Sequence, residues 1–353
     1  MKKLLYAFFL PFCTLFTANS YAQEAIEIGK SYTIKSKVLN EDRSIQIYLP
    51  TGYTDTKYPN QKYPVIYLLD GESNFNYLTA YVDKLSRYPY PSIPEMIIVG
   101  VVNTNRTRDL TPTVVTKDNM SKDQAAKIKG ENGGNDNFFK YLKDEVFTYV
   151  DTNYRTLNYK ILIGHSFGGI TALNNMLNYT DMFNAYIVHD PSIWWDNKVM
   201  LREYTSRIKQ DFKHRKLFLT QVGESENKGH LNDHYGAIKE FDKLMSTTPQ
   251  PSLTYKYVAY EGEDHGSIPL KGNLDGLRFV FDGYRINFKD LKTNSNLLKN
   301  TFESLSKEMH YDFKPTEKYL DTVIKYFNTN GDKETADKVT AYKQSLYSLY
   351  KYL

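Results

Sequence analysis

A serine stands between two glycines in the stretch GHSFGG, directly after the apolar run KILI. A serine hydroxyl becomes an effective nucleophile only when a base removes its proton and N–H groups receive the oxyanion. On a sharp turn between a strand and a helix the flanking positions must be small, and Gly164 and Gly168 meet this requirement. The helical pattern of GITALNNML follows the turn. The sequence therefore predicts that Ser166 is a nucleophile held on a strand–turn–helix elbow.

The chain has seven histidines that could supply the base. His265 follows YVAYEGED, the last apolar run, and precedes Gly266, which places it on a loop at a strand end. Folds with this elbow carry their triad in the chain order serine, acid, histidine, and His265 fits that order. We therefore predict that His265 is the base. We interpret His165 as structural, because its side chain points away from that of the adjacent serine.

The triad acid is expected to close the preceding apolar run, in KLFLTQVGESEN, which offers Glu224 and Glu226. The residues alone do not separate these two. For the oxyanion, the amide of Phe167 lies at a helix N-terminus, where N–H groups are unpaired. The second donor is expected in the loop after VIYLLDG, most simply the amide of Glu72.

Metal and nucleic-acid chemistry are not favoured by the sequence. His230 and His234 are four residues apart, as two ligands on a helix would be, but no third ligand cluster accompanies them. The formal charge of +4 falls to +2 without Lys2 and Lys3, which is too balanced for a phosphate-backbone binder. We expect no metal, no organic cofactor and no nucleic-acid partner.

The N-terminus is typical of an export signal. Residues 1–22 contain two lysines, an apolar stretch and the pattern Ser20-Tyr21-Ala22, which predicts cleavage before Gln23. The apolar stretch is short and contains Pro11, so we expect no transmembrane segment after signal removal. The one cysteine, Cys13, lies inside the signal, which excludes disulfides and a thiolate nucleophile. The protein is expected to be periplasmic or secreted.

The apolar runs indicate the elements that must position these groups. SYTIKSKVL and RSIQIYLP alternate apolar and polar residues, as antiparallel edge strands do. Six later runs are almost continuously apolar and are separated by helical stretches, which predicts a mostly parallel, doubly wound α/β sheet. Reactive groups collect at the carboxyl ends of such strands. The residues at these ends are Asp70-Gly71-Glu72, Asn103, Ser166, His189-Asp190, Glu224 to Glu226 and His265.

The region from about residue 290 is rich in lysine, tyrosine and leucine and has no strand pattern. Pro315 and Gly331 divide it into three helix-like pieces. We predict a signal peptide over 1–22, a catalytic domain over 23–288 and a small C-terminal helical appendage over 289–353.

Six motifs in order, YLLDGE, NTNRTRDLTPT, GHSFGGITAL, DPSIWWDN, VGESE and EGEDHGSIP, resemble the putative-esterase family of α/β-hydrolases. This family includes enterochelin, feruloyl and acetylxylan esterases and mycolyltransferases. The resemblance implies an α/β-hydrolase fold with Ser166 as nucleophile and His265 as base. The family acid usually stands three residues after the strand-ending glycine, which implies Glu226, although many relatives carry aspartate there and Glu224 stays in contention. The resemblance also implies Glu72 as the second oxyanion donor.

Two further motifs could shape a substrate pocket. Trp194 or Trp195 could stack on an aromatic or sugar ring, or could simply pack in the core. Arg106 and Arg108 could each hold a carboxylate or catecholate oxygen, although Arg108 could equally pair with Asp109 or another acid.

The expected activity is hydrolysis of a carboxylic ester, through an acyl-enzyme, by an exported serine hydrolase. The substrate would be a catecholate siderophore ester or a feruloyl or acetyl ester of a polysaccharide. Acyl transfer to an alcohol or sugar is an alternative within the same chemistry. A ligand-binding protein of the cell envelope that kept the fold without catalysis is an alternative of another class.

Overall fold

The computed structural model describes residues 25–89, 91–116, 122–128, 130–223, 233–248 and 250–347. Within these ranges eight strands form one sheet in the order β1-β2-β4-β3-β5-β6-β7-β8. The pairs β1/β2 and β2/β4 are antiparallel and the other five pairs are parallel. The strands are β1 Lys30–Ser36, β2 Glu41–Tyr48, β3 Tyr63–Leu68, β4 Ile97–Val101, β5 Thr156–His165, β6 Ala185–His189, β7 Arg215–Val222 and β8 Leu253–Tyr260.

Helices cover both faces of the sheet. One apolar core contains side chains of α4 to α8, and the other contains side chains of α1 and α9 to α12. The helices are α1 Gly71–Ser86, α2 Arg106–Asp109, α3 Lys122–Lys127, α4 Asn135–Lys140, α5 Thr148–Asn153, α6 Phe167–Asn178, α7 Trp195–Ser206, α8 Asp233–Thr247, α9 Ile268–Val280, α10 Leu297–Met309, α11 Glu317–Thr329 and α12 Lys333–Tyr347. A π-helical segment, Tyr141–Phe147, joins α4 to α5.

The central strands are buried on both faces, which explains why their sequences are almost continuously apolar. Along β3, Val65 and Tyr67 belong to one core, whereas Ile66 and Leu68 belong to the other. A strand buried on both faces needs apolar residues at odd and even positions alike. The predicted doubly wound sheet with an antiparallel N-terminal edge is confirmed.

The three C-terminal helices lie against the sheet. Pro315 precedes α11 and Gly331 separates α11 from α12, as the sequence indicated. Their buried apolar residues belong to the same core as α1, α9 and one face of the sheet. Lys318 Nζ lies 2.7 Å from Glu95 Oε1, next to the start of β4. This contact places the start of α11 at the amino end of β4.

Among the helices of the described ranges, we find none with the length and apolar character that crossing a bilayer requires. The predicted signal peptide, residues 1–22, lies outside the described residues.

Candidate active site

Ser166 occupies a strained turn between β5 and α6. It is the N-cap of α6 with φ 58° and ψ −113°, in a region that residues other than glycine rarely adopt. Its backbone N–H donates to the carbonyl of His189, 3.0 Å away, which ties the turn to the end of β6. A Cβ atom on Gly164 would collide with the carbonyl of Gly168. The glycines therefore let β5 and α6 approach closely, as an elbow for an exposed nucleophile requires.

His265 lies on the loop between β8 and α9, and its Nδ1 is 2.6 Å from Asp190 Oδ2. Asp190 follows β6 directly and is fully buried, whereas the His265 side chain is 42% exposed. The ring of His265 lies 4.4 Å, between centroids, from that of His165, the residue before the elbow serine. The structure therefore brings Ser166, His265 and a buried carboxylate to one edge of the sheet.

The sequence favoured Glu226, with Glu224 as the alternative acid, and both lie outside the described residues. Among the described carboxylates, Asp190 is the one that accepts a hydrogen bond from His265. Sequence reasoning noted Asp190 at a strand end without giving it a role. The order serine, acid, histidine is satisfied by Asp190 as well as by either glutamate, so chain order could not select among them.

A second histidine contacts the same carboxylate oxygen. His234, in the first turn of α8, places Nε2 3.1 Å from Asp190 Oδ2. Burial alone raises the pKa of the Asp190 carboxyl, but the hydrogen bonds and charge of His234 and His265 outweigh it and hold that pKa below its ordinary value. Asp190 is therefore a carboxylate at neutral pH.

The same three side chains could also ligate a metal ion. One ligand atom from each of Asp190, His234 and His265 lies within 4.8 Å of the others. His230, the predicted neighbour of His234, lies outside the described residues. The expectation of a site without a metal stays a prediction.

The two candidate oxyanion donors occupy the starts of helices. Phe167 is the first residue of α6 and Glu72 is the second residue of α1, where backbone N–H groups have no acceptor within the helix. Asp70, the N-cap of α1, has φ 55°. A Cβ atom on Gly71 would lie 2.8 Å from the carbonyl carbon of Gly100, so the loop passes against β4. Both donors lie at the carboxyl ends of their strands.

Polar side chains fasten the loop before α1. Asn103 Nδ2 donates to Asp70 Oδ1 and to Glu72 Oε1, each 2.6 Å away. Arg106 donates from Nε to Asp70 Oδ1 at 2.6 Å and from Nη2 to Asp70 Oδ2 at 2.9 Å. The guanidinium predicted to contact substrate is therefore committed to an internal ion pair.

Arg108 is also paired internally, as the sequence reasoning allowed. Its Nη2 lies 2.6 Å from Glu41 Oε1 and its Nε lies 2.7 Å from Asp109 Oδ1. Asp109 additionally binds the buried Arg43. Arg108 thus joins β2 to the start of the segment that follows β4.

The two tryptophans lie in the core. Trp195 is 0% exposed and Trp194 is 4% exposed. Both rings contact Phe167, at centroid distances of 6.0 Å for Trp194 and 5.3 Å for Trp195. Trp195 Nε1 donates to the carbonyl and to the hydroxyl of Thr113, each 3.2 Å away. Of the two roles considered, the structure supports packing beneath the elbow.

Two histidines, the partly buried His165 and the buried His189, flank the site in the neutral form. Burial lowers the pKa of His165 to about 3, with a smaller contribution from the charge of His265. Burial also lowers the pKa of His189 to about 4, although its hydrogen bond to Asn273 opposes the shift. His189 Nδ1 lies 3.0 Å from Thr220 Oγ1 and its Nε2 lies 2.9 Å from Asn273 Oδ1. These rings are structural supports beneath Ser166 and Asp190.

Sequence reasoning did not find Ser192. Its Oγ lies 3.3 Å from Ser166 Oγ, and its N–H donates to the carbonyl of Ser166 over 3.0 Å. The signal available was its position two residues after Asp190, in DPS.

Comparison with known proteins identifies the family. The model of the family described as "Putative esterase" matches residues 36–265. The ferri-bacillibactin esterase BesA of Bacillus subtilis is 27% identical over 244 residues, which cover 65% of this chain and 82% of BesA. The siderophore enterobactin esterase of Emericella nidulans is 27% identical over 250 residues, which cover 61% of this chain and 81% of that protein.

A solved structure gives a longer match. The crystal structure of an IroE-like serine hydrolase from Shewanella oneidensis superposes with a TM-score of 0.81 at 28% identity, covering 90% of this chain and 99% of that one. Residues 1–288 make up about 82% of the 353 residues, whereas the match covers 90% of the chain. The match therefore extends into the C-terminal helices. The chain therefore belongs to the Putative esterase family and is an ester hydrolase with the α/β-hydrolase fold.

Proposed function

We propose that the protein is an exported serine carboxylesterase that hydrolyses its substrate through an acyl-enzyme on Ser166, with His265 as base and Asp190 as the triad acid. The observation that carries this proposal is the 2.6 Å hydrogen bond between His265 Nδ1 and the buried carboxylate of Asp190. This bond fixes the Nδ1–H tautomer of His265, so that Nε2 keeps a lone pair for the serine proton.

The reaction proceeds in two halves. Ser166 Oγ attacks the ester carbonyl while His265 Nε2 takes the hydroxyl proton, and the N–H groups of Phe167 and Glu72 stabilise the oxyanion. His265 then gives the proton to the departing alcohol oxygen, which leaves the acyl group on Ser166. Water then attacks the acyl carbonyl while His265 Nε2 takes a proton from it. The bond between Ser166 Oγ and the acyl group breaks, His265 returns the proton to Oγ, and the carboxylic acid leaves. The buried Asp190 carboxylate stabilises the imidazolium in both halves.

The substrate we propose is the ester of a catecholate siderophore. Two relatives at 27% identity support this proposal, because one is named a siderophore enterobactin esterase and the other a ferri-bacillibactin esterase. Each match covers more than four fifths of the relative. The His265 side chain is 42% exposed, which is consistent with a site that admits a large ester. Feruloyl and acetyl esters of polysaccharides are the comparison substrates.

Export is proposed from residues 1–22, which combine lysines, an apolar stretch and Ala22 before the expected cleavage. Sequencing the N-terminus of the protein recovered from the periplasm or the medium tests this. A mature chain beginning at Gln23 is expected, and an uncleaved chain retained in the cytoplasm would contradict it.

The activity is tested with the wild-type chain, Ser166→Ala and His265→Ala on a short nitrophenyl ester, followed by catecholate and feruloyl esters. We expect both variants to lose several orders of magnitude in kcat/KM. A fluorophosphonate probe should label the peptide containing Ser166 in the wild type. Equal rates in wild type and variants would contradict the proposal, and tight binding of an intact ester without turnover would indicate a binding protein.

Acyl transfer is distinguished by adding an alcohol or sugar acceptor to the same reaction. A hydrolase yields the free acid as the main product, whereas a transferase yields a new ester.

A further inference from the structure

Two imidazoles donate to one buried carboxylate oxygen. Asp190 Oδ2 lies 2.6 Å from His265 Nδ1 and 3.1 Å from His234 Nε2. The two rings are almost perpendicular, with an interplanar angle of 82° and centroids 5.4 Å apart. The proposed triad uses only the first of these contacts. The second contact comes from His234, in a different element, α8.

We propose that His234 is a positioning residue of the esterase site. It holds the Asp190 carboxylate in place for His265 and takes up part of the negative charge of that carboxylate through its hydrogen bond. This proposal rests on the serine-esterase mechanism proposed above. His234 does not touch the reacting atoms in that mechanism and acts only through Asp190.

The environment of Asp190 explains why it needs a second donor. The side chain is 0% exposed, and the backbone has φ 40°, in the left-handed region. Its other oxygen, Oδ1, accepts a long hydrogen bond from the Val222 N–H, at 3.4 Å. A buried carboxylate is costly unless its oxygens receive donors. His234 supplies the donor that His265 alone does not.

Nε2 is the His234 nitrogen that donates to Asp190. His234 Nδ1 is buried and has no hydrogen-bond partner within the part of the chain that the structure describes. A proton on Nδ1 would therefore leave a buried N–H without an acceptor. The arrangement fits a proton on Nε2, directed at Asp190.

The test compares His234→Phe with His234→Gln in the full-length protein. Phenylalanine keeps the ring volume but has no donor, whereas glutamine retains an N–H that can reach Asp190. We expect His234→Phe to lower kcat by about 10- to 100-fold, the size of one charge-assisted hydrogen bond, with KM unchanged. His234→Gln should restore most of kcat.

A surface histidine provides the matched control. His310 stacks on His214 near the amino ends of the strands, and both residues are exposed. His310→Phe should leave kcat and KM unchanged. Thermal unfolding and fluorophosphonate titration verify that each variant is folded and retains a reactive Ser166.

The outcomes separate the two proposals. A His234→Phe variant with wild-type kcat, beside an inactive Ser166→Ala, would overturn the role of His234 alone. Equal losses in His234→Phe and His234→Gln would also overturn it, because the donor would not matter. An active Ser166→Ala would overturn the serine mechanism and the role of His234 together.

Discussion

The guanidinium of Arg106 donates two hydrogen bonds to the carboxylate of Asp70, of 2.6 and 2.9 Å. Its Nη2 also donates to the carbonyl of His165, 3.3 Å away. Asp70 stands directly before α1 and His165 directly before Ser166. One side chain therefore joins the two loops that carry the proposed oxyanion donors.

We expect Arg106→Lys to lower kcat by about 10- to 100-fold with little change in KM, because a lysine cannot reproduce the bidentate contact and one oxyanion donor would shift. Steady-state kinetics on a nitrophenyl ester measures both constants. Arg278→Lys is the control, because Arg278 is exposed and its Nη1 lies 3.6 Å from Asp275 Oδ1 in a surface ion pair. A raised KM with unchanged kcat would instead show that Arg106 binds the substrate.

The triad acid can be identified by comparing Asp190→Asn with Glu226→Gln and Glu224→Gln. We expect Asp190→Asn to lower kcat by about 10³- to 10⁴-fold, because an amide no longer fixes the His265 tautomer or stabilises its imidazolium. The two glutamate variants should stay within a few-fold of wild type. The assignment of Asp190 fails if Glu226→Gln gives the large loss and Asp190→Asn does not.

The buried tryptophan beneath the elbow should affect stability more than substrate binding. Trp195→Phe removes the hydrogen bonds to Thr113 and part of the packing against Phe167, and we expect a loss of about 1–3 kcal/mol in the free energy of unfolding. Urea unfolding gives this value, and KM for the siderophore ester should be unchanged. A large rise in KM with unaltered stability would favour the stacking role.

The neutral His189 should make stability depend on pH. Burial lowers its pKa from 6.5 to about 4 in the fold, so between these values the unfolded chain binds a proton that the folded chain does not. The stabilising contribution is therefore complete above about pH 6.5 and is lost as the pH falls towards 4, by on the order of 3 kcal/mol.

Urea unfolding of wild type and His189→Gln at pH 7.5 and 4.5 measures this effect. We expect the wild type to lose more stability over the interval than the variant, although the variant is less stable at pH 7.5. The same pH dependence in both proteins would show that His189 is not the group responsible.

Much of the fold was predictable because apolar periodicity reports burial directly. Each of the eight runs became a strand, and the glycines around Ser166 marked the elbow because close packing of β5 against α6 tolerates little else at Gly164. The position of His265 followed from the same reasoning, since it lies on the loop after the last strand. The local sequence pattern was sufficient for prediction wherever the backbone geometry restricts the residue type.

The partners of the charged residues were harder to predict. Arg106, Arg108 and Asp190 meet residues that lie 36, 67 and 75 positions away in the chain, and no periodicity specifies such pairs. Asp190 stands at the end of β6, next to β5 in the sheet, but several strand ends carry acids. Only the three-dimensional arrangement shows which carboxylate meets the histidine.

The position of the C-terminal helices determines how the protein can be immobilised or fused to a partner through its C-terminal end. The hydroxyl of Tyr347, at the end of α12, donates to the carbonyl of Pro315 over 2.7 Å, close to Lys318 and the start of β4. The last described helix thus ends at the amino side of the sheet, and Ser166 lies at the carboxyl side. A bead, electrode or fusion partner joined beyond α12 would leave the mouth of the site facing outward, towards arriving ester.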